Sequence, residues 1–136
     1  MVTYTTAGNY GIGWVVAGAL AGVPARAAAT VWGTLGANYA VKRAVRRERP
    51  AAAGALIELP SSPSFPSSHA AMSVAAAIAL SEVRPGMTPV WWTAAVLMCA
   101  SRLYVKAHHP SDVLAGAALG AVCGLAANAA WRGGGS

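Results

Sequence analysis

Five ionisable side chains follow an apolar run in the segment SRLYVKAHHPSD, residues 101–112. Pro110 suits the first position of a helix, so we expect Asp112 in the first turn and His108 just before it. A carboxylate four residues after a histidine can fix its tautomer and stabilise the charge that builds on the ring during attack. Arg102 can reach the same space. The segment therefore predicts a nucleophilic histidine with an acidic partner; an ion pair that ties two helices together is the alternative.

The segment FPSSHA, residues 65–70, is typical of a helix start. Ser67 or Ser68 can cap the helix, which puts His69 in its first turn. The free backbone N–H groups of a helix start bind anions, and a histidine there can donate a proton to a leaving group. A capped helix with an interfacial histidine is the alternative.

The segment KRAVRRERP, residues 42–50, is rich in cations. Lys42 and Arg49 are seven residues apart, so two helical turns are expected to bring them to one face, with Arg46 between them. Together they can hold a phosphate, Arg by a planar fork and Lys as a point charge. Positive charge flanking a membrane helix is the alternative. We expect the remaining charges near these motifs to be surface or interfacial groups: Arg43, Arg46, Arg47, Lys106 and His109.

The composition indicates a membrane protein. The chain has 136 residues, of which 56% are hydrophobic and 10% are charged, against about 25% charged residues in a soluble domain. Long stretches lack Lys, Arg, Asp and Glu, and a membrane helix needs about 20 apolar residues. A soluble Ala-rich bundle is disfavoured, because these stretches leave no polar face at helical spacing. We predict five membrane helices near residues 10–25, 27–45, 68–83, 88–104 and 110–131.

Five spans place the three cationic and histidine-bearing segments on one side of the membrane, because alternate helix ends face the same side. The predicted fold is an all-α polytopic helical bundle that forms a single domain over residues 1–132. Within the long connection, AAAGALIEL at 51–59 is expected to form a short interfacial helix. GGGS at 133–136 is expected to be a linker remnant.

Small residues recur at three- and four-residue spacing in AGALAG at 17–22, GTLGA at 33–37 and AGAALGA at 115–121. Such residues let membrane helices approach closely. Cys99 and Cys123 lie in apolar runs and are expected to be small buried hydrophobes, without a disulfide or a metal.

The formal net charge of +6 favours anionic lipid as a partner. A nucleic-acid partner is disfavoured, because the cations lie at helix ends without aromatic platforms. A two-metal site needs several carboxylates, and the chain has four acidic residues. We therefore expect neither a metal nor a cofactor. Whether the chain forms a homo-oligomer stays open.

Taken together, the three segments resemble the phosphatidic-acid phosphatase type 2 (PAP2) superfamily, whose motifs are KxxxxxxRP, PSGH and SRxxxxxHxxxD. They read here KRAVRRERP at 42–50, PSSH at 66–69 and SRLYVKAHHPSD at 101–112. Ser68 stands where the family has Gly, a residue that allows positive φ and close backbone approach.

This resemblance implies a multi-pass cell-membrane phosphatase that acts without a metal. It assigns His108 as the nucleophile that forms a phosphohistidine and Asp112 as the residue that orients it. It assigns His69 as the group that protonates the leaving oxygen and then activates water. The phosphoryl oxygens would be bound by Lys42, Arg49, Arg102, Ser67 and the backbone around Ser68.

The substrate class implied by the resemblance is a polyprenyl or phospholipid phosphate. The short, Ala-rich chain is similar to short actinobacterial members of the family, which favours the 5-phosphate of a polyprenyl-linked ribose used in cell-wall arabinan synthesis. Undecaprenyl diphosphate and phosphatidylglycerophosphate are the competing substrates. A catalytically inactive scaffold that binds lipid phosphates is the alternative from another functional class.

Overall fold

The computed structural model describes residues 11–50, 56 and 61–135, and the regular structure of these residues is helical. The predicted all-α class is therefore confirmed. The predicted interfacial helix at 51–59 lies, apart from Leu56, outside the described residues. Within the described part of the chain, five α-helices and one 3₁₀ turn (Pro85–Met87) follow one another: α1 Ile12–Leu20, α2 Pro24–Val45, α3 Ser68–Val83, α4 Thr88–Tyr104 and α5 Pro110–Gly133.

Local sequence signals set the helix boundaries. Pro24 and Pro110 stand in the first turns of α2 and α5, where the missing backbone N–H costs nothing. The prediction that the first helix continues to residue 25 is wrong, because it ends at Leu20 and Gly22 follows with a φ of 84°. Helix α2 accordingly begins earlier than residue 27. The predicted bounds 68–83 and 88–104 agree with α3 and α4.

Helix α3 is the centre of the bundle and packs against α2, α4 and α5. A Cβ atom added at Gly116 or Gly120 of α5 would collide with the carbonyl oxygen of Ser67 or Ala71. Glycine is required at both positions because the two backbones are in contact there. The close approach predicted from AGAALGA is therefore confirmed, and it sets the start of α5 against the start of α3.

Side-chain size is distributed from the inside outwards. The buried face of α3 is formed largely by alanines, with Met72 and Leu80 among them, and many large apolar side chains lie on the outer surface. Leu20 is 85% exposed, Leu114 72% and Val122 66%. An apolar exterior of this extent is typical of a surface that meets lipid or a partner.

By length and composition, α5 is the one described helix that is long and apolar enough to cross a membrane, while α3 is apolar but has 16 residues. Helix α2 has 22 residues and carries a buried polar stripe formed by Thr30, Thr34, Asn38 and Lys42. Because this stripe faces the interior, it lowers the apolar content of α2 without presenting polar groups to the outer surface. Five membrane spans stay a prediction.

An ionic cluster closes the end of the bundle away from the three motifs. The Arg26 guanidinium lies 3.1 Å from Glu82 Oε1 and donates to Asn128 Oδ1 at 2.8 Å. Arg132 Nε lies 3.7 Å from the same Glu82 oxygen. These contacts tie α2, α3 and α5 together.

Candidate active site

The three motif segments meet at one end of the bundle, where α2 and α4 end and α3 and α5 begin. The Ser67 N–H, at the start of α3, donates to the Asp112 carbonyl oxygen at 2.9 Å. The Ser64 N–H donates to the Arg47 carbonyl oxygen at 2.8 Å. Backbone hydrogen bonds thus connect the second motif, or the residue just before its segment, to each of the other motifs, and the predicted convergence of the motifs is confirmed.

His108 is buried in the short segment between α4 and α5, with both ring nitrogens in contact with protein groups. Its Nδ1 lies 2.8 Å from the Ser64 carbonyl oxygen and its Nε2 lies 3.3 Å from Arg49 Nη1. A carbonyl only accepts hydrogen bonds and a guanidinium only donates them. The two contacts therefore assign the proton to Nδ1 and leave the Nε2 lone pair directed towards the cation.

The surroundings of His108 keep it neutral. Burial lowers the pKa of the imidazole, and the charges of Arg49 and Lys42 lower it further, to about 3. Asp112 and the Ser64 carbonyl act in the opposite direction but are outweighed. A neutral ring at physiological pH has the free lone pair that a nucleophile needs.

Asp112 is fully buried at the start of α5 and uses both carboxylate oxygens. Oδ1 accepts a hydrogen bond from Arg47 Nη1 at 2.9 Å, and Oδ2 accepts one from the His109 backbone N–H at 2.8 Å. Oδ2 lies 3.7 Å from His108 Nδ1. Asp112 thus lies next to His108, as predicted, but beyond hydrogen-bond distance of Nδ1, and the carbonyl of Ser64 makes the shorter contact with the ring.

Arg47 is not the simple surface charge that the sequence predicted, because it pairs with the buried Asp112. The prediction overlooked it since its partner lies 65 positions away in the chain. His109 likewise caps α5 and bonds Asp112 through its backbone. The exposed positions of the other three predicted surface charges agree with the prediction: Arg43, Arg46 and Lys106.

Lys42 and Arg49 reach the same site, but not by sharing a helical face. Helix α2 ends at Val45, because Arg46 adopts a left-handed backbone with a φ of 52°. The expectation that Arg46 and Arg49 continue this helix is therefore wrong. Lys42 Nζ donates to the Pro63 carbonyl at 2.6 Å, and Arg49 Nη1 donates to the Ala107 carbonyl at 2.9 Å.

Arg102 is a deeply buried cation of the site, as is Lys42. It is 3% exposed, and its Nε and Nη2 atoms have no hydrogen-bond acceptor among the residues that the structure describes. A buried guanidinium without acceptors is unfavourable unless an anion completes its shell. Arg102 and Arg49 are also close enough to act electrostatically on one another. The cluster is therefore suited to an oxyanion with several negative oxygens.

The segment that begins α3 is held by a residue that the sequence prediction missed. Asn38 is fully buried, donates from Nδ2 to the Pro66 carbonyl at 3.3 Å and accepts the Ser68 hydroxyl at 2.7 Å. Ser67 caps α3 by accepting the Ala70 N–H at 3.4 Å. Asn38 lies one turn before Lys42 in the polar stripe of α2, and this four-residue spacing could have identified it from the sequence.

His69 lies half-buried in the first turn of α3, as predicted. Lys42, Arg49 and Arg102 are all close enough to act electrostatically on its ring. The two histidines of the motifs thus share one set of cations. Within residues 11–50, 56 and 61–135, no group of three or more His, Cys, Asp or Glu side chains is arranged to hold a metal ion.

Comparisons with known proteins agree with this arrangement. The model of the PAP2 superfamily matches residues 13–133. The chain is 34% identical over 127 residues to decaprenylphosphoryl-5-phosphoribose phosphatase of Mycobacterium tuberculosis (strain ATCC 25618 / H37Rv), covering 86% of this chain and 71% of the relative. It is 33% identical over 119 residues to the protein of that name from Mycolicibacterium smegmatis, covering 80% of this chain and 65% of the relative.

A solved structure has a similar fold. The transmembrane PAP2-type phosphatidylglycerolphosphate phosphatase from Bacillus subtilis is 25% identical, with a TM-score of 0.65. The match covers 76% of this chain and 56% of that one, so the chain spans little more than half of the solved protein. The family and the phosphatase class predicted from the motifs are confirmed by these matches, and the chain belongs to the PAP2 superfamily.

Proposed function

We propose that this chain is an integral-membrane phosphatase that hydrolyses a lipid phosphomonoester through a phosphohistidine at His108. The observation that carries the proposal is the Nε2 of a neutral, buried His108 facing Arg49. Arg49 in turn acts electrostatically on the buried Arg102, whose Nε and Nη2 have no acceptor in the described part of the chain. A nucleophile and a phosphate-binding group are thereby within one cluster.

In the first step, His108 Nε2 attacks phosphorus and the bond from phosphorus to the leaving oxygen breaks. With the negative phosphate bound among the cations, His69 takes up a proton and gives it to that oxygen, so the alcohol leaves uncharged. Lys42, Arg49 and Arg102 stabilise the negative charge on the three phosphoryl oxygens. For attack, the phosphate has to enter between Arg49 and His108, and the guanidinium then bonds the phosphate in place of the ring.

In the second step, His69 removes a proton from water as the water attacks phosphorus. The bond between phosphorus and His108 Nε2 breaks and inorganic phosphate is released. Throughout, the Ser64 carbonyl holds the Nδ1 proton, and the Asp112 carboxylate stabilises the positive charge on the ring. Ser67 and the backbone N–H groups around Ser68 supply hydrogen bonds at the start of α3.

The substrate we propose is decaprenylphosphoryl-5-phosphoribose, with removal of its 5-phosphate. Support comes from the curated relatives, which carry that activity in their names and of which this chain spans about 71% in M. tuberculosis. Undecaprenyl diphosphate and phosphatidylglycerophosphate are the competing lipids, the second supported by the name of the B. subtilis protein.

We further propose that α1 to α5 all cross the cell membrane, with the site at one membrane face and the domain formed by residues 1–132. The large apolar side chains on the outer surface support this arrangement. So does the transmembrane nature of the B. subtilis structure. A lipid substrate can then reach the site from the bilayer without leaving it.

The test is phosphate release by the purified protein in detergent with EDTA, using the three candidate lipids and phosphatidic acid. His108→Ala is expected to lower the rate by at least about a thousand-fold. Arg43→Gln, an exposed change in the same motif region, is the matched control and is expected to retain the rate. Release that persists in His108→Ala would refute the nucleophile; no release by the folded wild type would favour a scaffold that binds lipid phosphates.

A further inference from the structure

Arg47 joins all three motif segments through one side chain. Its Nη1 donates to Asp112 Oδ1 at 2.9 Å and to Ser111 Oγ at 2.6 Å. Its guanidinium carbon lies 4.9 Å from the centre of the Phe65 ring, and its backbone carbonyl accepts the Ser64 N–H. In the first motif, KxxxxxxRP, Arg47 occupies one of the six positions at which any residue is allowed.

The contacts of Arg47 differ from those of the three phosphate-binding cations. Lys42 and Arg49 donate to backbone carbonyls, and Arg102 Nε and Nη2 have no acceptor among the described residues. Arg47 instead pairs with a carboxylate whose side chain is 0% exposed, while its own side chain is 40% exposed. A buried carboxylate deprived of its ionic partner is strongly unfavourable. Arg47 therefore helps to hold Asp112 in its charged form and in one orientation, together with the His109 backbone N–H.

That orientation bears on the nucleophile. With Oδ1 bound to Arg47 and Oδ2 bound to the His109 N–H, the carboxylate plane is fixed at both oxygens. The fixed Oδ2 stands 3.7 Å from His108 Nδ1. A carboxylate free to rotate would lose this separation, and with it the stabilisation of the charge that develops on the ring during attack.

We propose that Arg47 is a positioning residue for the reaction, acting on His108 through Asp112. This inference rests on the proposed function, because it concerns the step in which His108 attacks the phosphate. It assigns Arg47 no contact with the substrate. Its effect is therefore expected on the rate of phosphoenzyme formation and not on the affinity for the lipid.

The experiment compares Arg47→Ala and Arg47→Lys with the wild type, with Arg43→Ala as the exposed control from the same segment. For Arg47→Ala, kcat is expected to fall about 10- to 100-fold while KM stays within about two-fold, because a misplaced group slows the chemical step. Arg47→Lys is expected to recover part of kcat, since Lys restores the charge without the planar fork. Melting temperature in detergent is followed for each variant.

Chemical rescue separates positioning from a purely structural role. Methylguanidinium added to Arg47→Ala is expected to restore part of kcat, because the position is 40% exposed and open to a small cation. It is not expected to raise the rate of the wild type or of His108→Ala. If Arg47→Ala does not fold, Arg47→Lys gives the same test through its lowered kcat and unchanged KM.

Three outcomes would overturn the inference. An unchanged kcat in both Arg47 variants would remove Arg47 from the reaction. A lowered melting temperature with kcat retained would make it structural only. A rise in KM for the phosphoribose lipid but not for phosphatidic acid would make it a substrate contact. Failure of the wild type to release phosphate in the same assay would instead refute the proposed function.

Discussion

The Nδ1 atom of His108 lies 2.8 Å from the backbone carbonyl oxygen of Ser64, whereas Asp112 Oδ2 lies 3.7 Å away. A backbone carbonyl cannot be deleted by changing a side chain. The tautomer of His108 is therefore fixed by a group that persists in every Asp112 variant, and Asp112 is left with an electrostatic part in the reaction.

Asp112→Asn is accordingly expected to lower kcat by about 10²- to 10³-fold, less than the ~10⁴-fold loss in a triad whose tautomer depends on the acid. The Asn amide also places a donor against Arg47 or the His109 N–H, so the melting temperature is expected to fall. Single-turnover kinetics together with thermal unfolding in detergent measure both effects. A kcat loss of the full triad size would show that Asp112, and not Ser64, sets the tautomer.

The low pKa of His108 predicts a definite pH dependence of stability. Burial, Arg49 and Lys42 hold the pKa in the folded protein near about 3, against about 6.5 in an unfolded chain. Between these values the unfolded state binds more protons, so the contribution of His108 to stability is present above about pH 6.5 and is lost as the pH falls towards about 3.

Two measurements check this dependence. In ¹⁵N NMR spectra, the ring of His108 is expected to stay neutral, with the proton on Nδ1, at about pH 5, where an unshifted histidine is charged. In thermal unfolding, acidification is expected to destabilise the wild type more than His108→Ala. A ring that titrates near its ordinary value would contradict the buried contacts with Ser64 and Arg49.

Ser68 occupies the glycine position of the family motif, and its hydroxyl donates to Asn38 instead of pointing to a free site. Ser68→Ala is expected to cost about 1 kcal/mol, because it leaves the buried Asn38 oxygen unpaired. KM is expected to change by less than about two-fold. Asn38→Ala is the paired variant. Because the two side chains share one hydrogen bond, the double variant is expected to lose less stability than the sum of the two single losses. A large rise in KM for Ser68→Ala alone would identify the hydroxyl as a phosphate ligand.

The seam between α3 and α5 predicts a contrast between two glycines. Gly120→Ala is expected to cost about 1–3 kcal/mol, because the new Cβ meets the Ala71 carbonyl. Gly36→Ala, with no atom within 4 Å of the new Cβ, is expected to be neutral or to stabilise α2 by about 0.5–1 kcal/mol. The two variants are compared by their melting temperatures in detergent. Equal melting temperatures would show that α3 and α5 can move apart without loss of stability.

The sequence predicted what depends on local signals. Charge-free stretches, Pro110 and the Ser67 cap indicated the helices from α3 onwards, with bounds that the structure confirms for two of them. The three motifs named the groups of the candidate site. The end of the first helix was predicted wrongly, because it was placed from the stretch without charged residues. Gly22 and Pro24, which mark the turn after Leu20, were not used.

The spacing of residues in the sequence could not predict contacts between segments that are far apart in the chain. Helical periodicity put Lys42, Arg46 and Arg49 on one face, but Arg46 takes a left-handed conformation and ends the helix. Arg47 looked like any basic residue beside a membrane, since its partner is set by the packing of α5 against α3. Ser64 contacts His108 through its backbone carbonyl. Because every residue has a backbone carbonyl, no pattern of side chains could predict this contact.

The small side chains between α3 and α5 and the large ones on the outer surface have a consequence for how this chain tolerates sequence change. In a soluble domain, trimming a large core residue is the usual route to instability. Between α3 and α5 the interior is built of Ala and Gly, so this seam has little volume to remove and no room to add any. Enlarging Ala71 or Gly120 is therefore expected to destabilise the protein more than shortening Leu114 or Val122. This order is the reverse of the usual one, and the outer surface is expected to tolerate most substitutions.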